Sequence, residues 1–243
     1  MIRLIATDID GTLLNSKGEV SDRTMYALQG AMEAGAMISL SSGRMTESMV
    51  KFAEEIKVNA PMIVYNGALI YDHREDKTLY SKPIAMDIAR DVIRRIEALD
   101  IYIRAYPGAG YFCNRKNEYT TRYEQSVGVK ITELGRPLSE WADTDMIKML
   151  AVATPEEIVA LQQTLQREFP VGVHFMQSQP YYLEIVADHV DKGAALELLG
   201  REVGVKRSEI LAFGDGQNDM SMLQYAGEGY AMENASKEVR DCA

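Results

Sequence analysis

The sequence predicts an α/β fold: a doubly wound, mostly parallel, Rossmann-like core sheet with an inserted α+β module, a cap domain by the resemblance drawn below. Three observations carry this. Short apolar runs alternate with amphipathic helical stretches at the start of the chain and again at its end. The pattern changes character at about Pro83 and returns to its first style near Lys192. Three of the apolar runs lead directly into loops rich in Asp, Ser and Gly. In an open α/β sheet, such loops at the carboxyl ends of strands are where ligands gather.

The elements follow in order. An apolar strand over residues 2–8 meets Asp8-Ile9-Asp10-Gly11-Thr12. Ser21 is a helix cap ahead of Met25, Leu28 and Met32, and Gly35 stops that helix. A second strand, 36–40, runs into Ser41-Ser42-Gly43-Arg44, and Thr46 is placed to cap the next helix. A third strand, 62–65, meets Asn66-Gly67 and continues as 68–71, a pattern that reads as a hairpin turn. In the insert, a helix over Ile88 to Leu99 precedes a strand at 101–106, a Gly108-Ala109-Gly110 turn and Tyr111-Phe112-Cys113. A strand at 147–152, a helix opened by Thr154-Pro155-Glu156-Glu157, and strands at 171–176 and 181–186 complete it. A helix from Lys192, a strand at 210–213 with Gly214-Asp215-Gly216-Gln217-Asn218-Asp219, a further helix and a short strand at 229–232 close the core. The expected domains are a core of residues 1–82 and 189–243 and an inserted module of 83–188.

Composition narrows the function. The chain has 243 residues, 47% hydrophobic and 26% charged, ordinary for a globular protein. Its net charge of −10 comes with no basic cluster, which argues against nucleic-acid binding. No apolar run is long enough for a bilayer span, and no signal-peptide pattern opens the chain. Two cysteines, Cys113 and Cys242, make no disulfide framework, so a cytoplasmic location is expected. His73, His174 and His189 show no metal-ligand spacing, and Asp188 and Asp191 read as a solvated turn. The aromatics Tyr102, Tyr106, Tyr111 and Phe112 alternate at strand spacing, which reads as packing.

The chemistry lies in four stretches that parallel strands can bring to one edge. Taken alone, Asp8/Asp10 reads as an acidic turn or cap. Together with the others it supplies what phosphate-ester hydrolysis needs: a nucleophile, a metal site, anion donors and a leaving-group acid. A carboxylate such as Asp8 can form an acyl-phosphate if Mg2+ screens its charge, and Asp215 is the natural second ligand. Ser42 and the Gly43 amide precede a helix start, where N–H groups collect anions. Lys192 at a helix N-terminus is locally unfavourable, and a bound phosphate reverses that cost. Asp10 can protonate the leaving alcohol and later deprotonate the attacking water.

With these four stretches and the weaker tail Ala231-Met232-Glu233-Asn234-Ala235, the sequence resembles the haloacid dehalogenase superfamily, within it the Cof-type, subclass IIB sugar phosphatases. The resemblance covers essentially the whole chain. It implies that Asp8 is the nucleophile and a Mg2+ ligand. Asp10 would be the acid/base, with its carbonyl on the metal. Thr12, Ser42, Gly43, Arg44, Lys192 and Asn218 would hold phosphate or substrate, and Asp215 and Asp219 would complete the metal site. The expected partner is a small phosphorylated metabolite, with the protein a monomer or weak homodimer. Arg44 read by itself is a surface or salt-bridge residue. Two departures stand out. Glu233 replaces the family's usual Gly, which is expected to alter the turn, and the chain stops where one more strand and helix are expected. A phosphomannomutase-like phosphotransferase and a catalytically weak phosphometabolite-binding regulator are the competing functions.

Overall fold

Four buried or half-buried residues, Leu-Ile-Ala-Thr, make the first strand β1 (Leu4–Thr7), and the backbone turns irregularly helical at Ile9–Leu13 directly after it. The computed structural model describes residues 1–108 and 110–243, so Ala109 of the expected glycine turn lies outside the described residues. Helix α1 (Asp22–Glu33) starts on Ser21, whose hydroxyl accepts from the Thr24 N–H, as the sequence predicts. Strand β2 (Met37–Leu40) and helix α2 (Thr46–Ile56) follow. Thr46 does not cap α2. It is the first helical residue, and Met45 holds the cap position without a side-chain bond. Strands β3 (Met62–Val64), β4 (Leu69–Asp72) and β5 (Lys77–Ser81) form an antiparallel sheet. The expected hairpin at Asn66-Gly67 forms, with Val64 opposite Leu69, and the short helical turn Tyr65–Gly67 lies in its connection.

The chain divides into two compact units, Met1–Ser81 with Val190–Ala243, and Lys82–His189. The second unit opens with helix α3 (Met86–Glu97), then β6 (Tyr102–Tyr106), β7 (Phe112–Cys113), helix α4 (Glu118–Val127) and β8 (Thr132–Glu133). Helix α5 (Leu138–Trp141), β9 (Lys148–Val152), α6 (Pro155–Glu168), β10 (Val173–Gln179) and β11 (Tyr182–Ala187) complete it. Among the described residues its strands form one sheet in the order β10-β11-β9-β6-β7-β8. Thr154 and Glu157 make the capping box of α6. The four alternating aromatics pack as expected: Tyr106 lies 5.5 Å from Tyr111, and Phe112 4.4 Å from Trp141. Patterning did not foretell the buried charges on this sheet. Lys148 and Glu184 form an ion pair at 3.0 Å, and Arg104 is fully buried with its guanidinium 3.9 Å from the Tyr123 ring.

The first unit resumes with helix α7 (Lys192–Glu202), β12 (Ile210–Gly214), helix α8 (Met220–Tyr225), β13 (Glu228–Ala231) and helix α9 (Lys237–Cys242). Asp191, expected in a solvated turn, caps α7: its carboxylate accepts from the Ala194 N–H at 2.8 Å. Strands β13-β12-β1-β2 are parallel, and a single parallel bridge from Ser41 to Ile63 extends the pairing toward β3. Leu4, Ala6, Ile210 and Ala212 from the sheet pack with Leu196, Leu199, Met222 and Leu223 from the helices in one apolar cluster. Each buried aliphatic side chain contributes about 1.5–3 kcal/mol. That core fixes the sheet and therefore aligns the carboxyl ends of β1, β2 and β12 on one edge.

Candidate active site

Asp8 leaves β1 with its N–H donating to the Phe213 carbonyl on β12 at 3.0 Å, so the first and last motif loops are tied by backbone. Its carboxylate is buried. Lys192 Nζ, also fully buried, donates to Asp8 Oδ1 at 2.6 Å and to Asp219 Oδ1 at 2.5 Å. Asp219 Oδ2 accepts from the N–H groups of Asp215 and Gly216 at 3.0 and 2.9 Å, which closes the loop after β12. One carboxylate oxygen from each of Asp8, Asp215 and Asp219 falls within a 4.8 Å cluster.

Asp215 is held from both sides. Thr12 Oγ1 donates to its Oδ1 at 2.7 Å, and Asn234 Nδ2 donates to its Oδ2 at 3.0 Å. Asn234 also donates to the Gly11 carbonyl at 3.1 Å. Gly11 sits at φ +87°, and a β-carbon there would lie 2.2 Å from Asp215 Oδ2. Only glycine satisfies both the left-handed backbone and the close approach. Asp10 points elsewhere: Arg44 Nε and Nη2 donate to its two oxygens at 2.6 Å each. Arg44 also reaches Ser48 Oγ at 3.2 Å and lies 5.1 Å from the Phe52 ring centre. Ser42 Oγ accepts from the Arg44 N–H at 3.1 Å, and Asn218 Nδ2 donates to Asn66 Oδ1 at 3.0 Å.

With this geometry in view, comparison with known proteins is informative. The profile of the haloacid dehalogenase-like hydrolases matches residues 5–243. The chain belongs to that family. It is 28% identical over 243 residues to an HMP-PP phosphatase of Serratia proteamaculans, covering 99% of this chain and 87% of that one. It is 26% identical over 246 residues to the 5-amino-6-(5-phospho-D-ribitylamino)uracil phosphatase of Bacillus subtilis, covering 99% and 90%. A crystal structure from Thermotoga maritima superposes with a TM-score of 0.83 at 33% identity, covering 100% of this chain and 91% of that one. The family resemblance drawn from the motifs therefore holds, Cof-type branch included.

The structure assigns several of the expected site residues different contacts. Thr12 was expected on phosphate, but its hydroxyl is committed to Asp215. Arg44 was expected on phosphate or substrate, but its guanidinium grips Asp10. Asp219 joins the carboxylate cluster, yet both its oxygens are engaged by Lys192 and by backbone N–H groups. The Asp10 carboxylate is outside the cluster. Glu233 is exposed and not in the left-handed region, so its backbone makes no demand for glycine. Asn66 and Asn234 escaped the sequence reading. Asn234 stood in the tail motif without a role, and Asn66 was read as a hairpin turn that the resemblance sets near the active-site edge, again without a role.

The electrostatics follow from burial. Burial pushes the Asp8 carboxyl up to about 8, helped by repulsion from Asp219 and opposed by Lys192. Burial also raises Asp215, against the hydrogen bond from Thr12. Burial alone would lower Lys192, but Asp219 and Asp8 outweigh it and hold the ammonium charged. Asp8, Asp10, Asp215 and Asp219 face only two local cations, Lys192 and Arg44, among the contacts described. The donors are all carboxylate oxygens, and the carboxylates outnumber the cations by two. That is a site suited to one hard divalent cation.

Proposed function

We propose that the protein is a Mg2+-dependent phosphatase of small phosphorylated metabolites, sugar phosphates first among them, acting through an aspartyl-phosphate on Asp8. The observation that carries the reading is the meeting of Asp8, Asp215 and Asp219 around buried Lys192 at the carboxyl edge of a parallel sheet. Asp8 and Asp215 would hold the metal, with the Asp10 carbonyl beside them and Asp219 keeping Lys192 and the loop in place. Bound Mg2+ would supply the positive charge that lets an anionic phosphate approach an anionic nucleophile.

The chain's own residues do the rest. Lys192, the Ser42 hydroxyl, the Gly43 amide and Asn218 bind and orient the phosphoryl oxygens in line with Asp8. A carboxylate oxygen of Asp8 forms the bond to phosphorus as the ester oxygen leaves, and Asp10 gives that oxygen its proton. Water then attacks the acyl-phosphate, passing a proton to Asp10, and the bond from Asp8 to phosphorus breaks. The Asp10 carboxylate is clamped by Arg44 in this structure, so it must exchange that partner for the substrate oxygen before it acts. The unit Lys82–His189 would be the cap that selects the metabolite. A cytoplasmic enzyme fits these substrates, and no helix among the described residues is long and apolar enough to cross a membrane.

The test is Asp8→Asn with an aryl phosphate, measuring released phosphate with Mg2+ and with EDTA. Turnover should fall by at least about 10³-fold, in the range seen for loss of a nucleophile, and EDTA should remove wild-type activity reversibly. Retained turnover in the variant sinks the nucleophile assignment. Metal-independent turnover sinks the Asp8/Asp215 metal reading.

A further inference from the structure

The Tyr65–Gly67 turn lies in the left-handed region throughout: Tyr65 and Asn66 sit at φ +52° and +57°, and Gly67 follows at +99°. Asn66 and Gly67 suit that region, but a bulky residue such as Tyr65 holds it only where its surroundings fix it, and functional sites are where this clusters. Three surroundings fix the turn here. The N–H groups of Tyr65 and Asn66 donate to the carbonyls of Arg44 and Ser42, each at 3.0 Å. A β-carbon on Gly67 would lie 2.3 Å from the Asp191 carbonyl oxygen, so the turn rests on the cap of the Lys192 helix. The Asn66 carboxamide is fully buried against Gly43, where a β-carbon would lie 2.9 Å from Oδ1 and 3.0 Å from Nδ2.

That carboxamide also sets Asn218. Asn66 Oδ1 takes one of the two N–H groups of Asn218 Nδ2, leaving the other for a ligand. Asn218 Oδ1 lies against Gly216, 2.4 Å from where a β-carbon would stand. The Asn218 amide is therefore held at its nitrogen by Asn66, with its oxygen close to Gly216. Asn66 Nδ2 itself is buried and finds no acceptor among the described residues, an arrangement that stability alone does not favour. One turn thus touches the Ser42–Gly43 loop, Asn218 and the start of α7.

We propose that Asn66 is a positioning residue of the anion site, acting through Asn218, whose carboxamide it pre-orients for a phosphoryl oxygen. The inference rests on the phosphate-binding reading of Asn218 and adds a residue to it. With Asn66 removed, the Asn218 side chain must be ordered by the ligand, and affinity falls.

The test is Asn66→Gly, because glycine takes the positive φ without strain while deleting the carboxamide. Inorganic phosphate and orthovanadate are titrated calorimetrically, with Mg2+ present, into the wild-type protein, N66G, N218A and the double variant, with melting temperatures measured alongside. N66G should bind both anions about tenfold more weakly, the size expected for one hydrogen bond to a charged group. Its melting temperature should be unchanged or higher. N218A should lose at least as much, and the double variant no more than the worse single variant. Wild-type affinity in N66G overturns the proposal. So do losses that multiply in the double variant, or a large drop in melting temperature with anion affinity intact. A wild-type protein that binds both anions yet hydrolyses no phosphate ester would sink the phosphatase reading while leaving this cycle readable. One that binds neither anion sinks both.

Discussion

Lys192→Met is the most informative single change. In the native protein the Nζ is fully buried between Asp8 and Asp219, each of them buried as well. Methionine fills a similar volume but leaves two carboxylates of one cluster facing each other in a low dielectric. Removing one partner from a buried charge network costs about 3–5 kcal/mol. For a chain of this size that is a fall of about 6–20 °C in melting temperature, at about 2–4 °C per kcal/mol. The loss should depend on pH with a definite sign. Burial and Asp219 already raise Asp8 to about 8 against an ordinary value of 3.8, and without Lys192 it rises further. A raised carboxyl binds more protons folded than unfolded between those values, so stability falls as pH rises through that window. The wild type already falls through that window, so the variant's added loss opens only above about pH 8, and it should be larger at pH 9 than at pH 6. Mg2+ should recover part of the loss, about 2.7 kcal/mol at a hundredfold excess over Kd. The assay is denaturant unfolding in EDTA and in Mg2+ at both pH values. A variant within about 1 kcal/mol of wild type in EDTA, or one destabilised equally at both pH values, would refute this account of the buried lysine.

Three other predictions concern the surroundings. Thr12→Val removes the hydroxyl that aims Asp215, and Mg2+ affinity measured by calorimetry should weaken about 10–100-fold, as for outer-shell partners generally. Gly11→Ala forces a β-carbon to 2.2 Å from Asp215 Oδ2 at φ +87°, so it should destabilise by about 1–3 kcal/mol and lower Mg2+ affinity in the same titration. Arg104→Met deletes a buried cation with no hydrogen-bond acceptor among the described residues. Its stacking on Tyr123 is worth up to about 2 kcal/mol, offset by the desolvation it no longer costs, so its denaturation midpoint should stay near wild type. A loss of 3 kcal/mol or more would show that the guanidinium has a partner.

The core was legible because its signals are local and its convergence is topological. Apolar runs such as Leu4 to Thr7 and Ile210 to Phe213 need no partner to be recognised, and parallel pairing then brings Asp8 and Asp215 to one edge. What was lost is partner choice across long separations. Nothing near Thr12 says that its hydroxyl turns to Asp215, and nothing near Arg44 says that it grips Asp10. Asn66-Gly67 carries a strong local hairpin signal, and the hairpin forms, but nothing local says that its turn packs on Asp191 and Gly43. Strand β5 was missed because its residues are exposed or half-buried and show no alternation. Arg104, Lys148 and Glu184 stood at strand positions where polar residues normally face water, and burial of that sheet face is a tertiary fact.

The acids of the site now divide by what holds them. Asp219 is spent on Lys192 and two backbone donors, so it fixes the cation and the loop. Asp215 is aimed by a hydroxyl and an amide, neutral donors that orient a carboxylate without cancelling its charge. Asp10 is neutralised by a guanidinium on the exposed side, where a substrate can compete for it. Asp8 combines deep burial with the Lys192 ammonium as its donor and, unlike Asp219, no backbone N–H among the contacts described, and burial with repulsion from Asp219 holds its proton up to about 8. A nucleophile needs a lone pair that nothing else occupies, and a metal ligand needs charge that nothing else has cancelled. Asp8 retains the first through its second oxygen, and Asp215 retains the second. Under the proposed mechanism, these different supports, more than the shared aspartate chemistry, would separate attack, metal binding, proton transfer and scaffolding among the four aspartates.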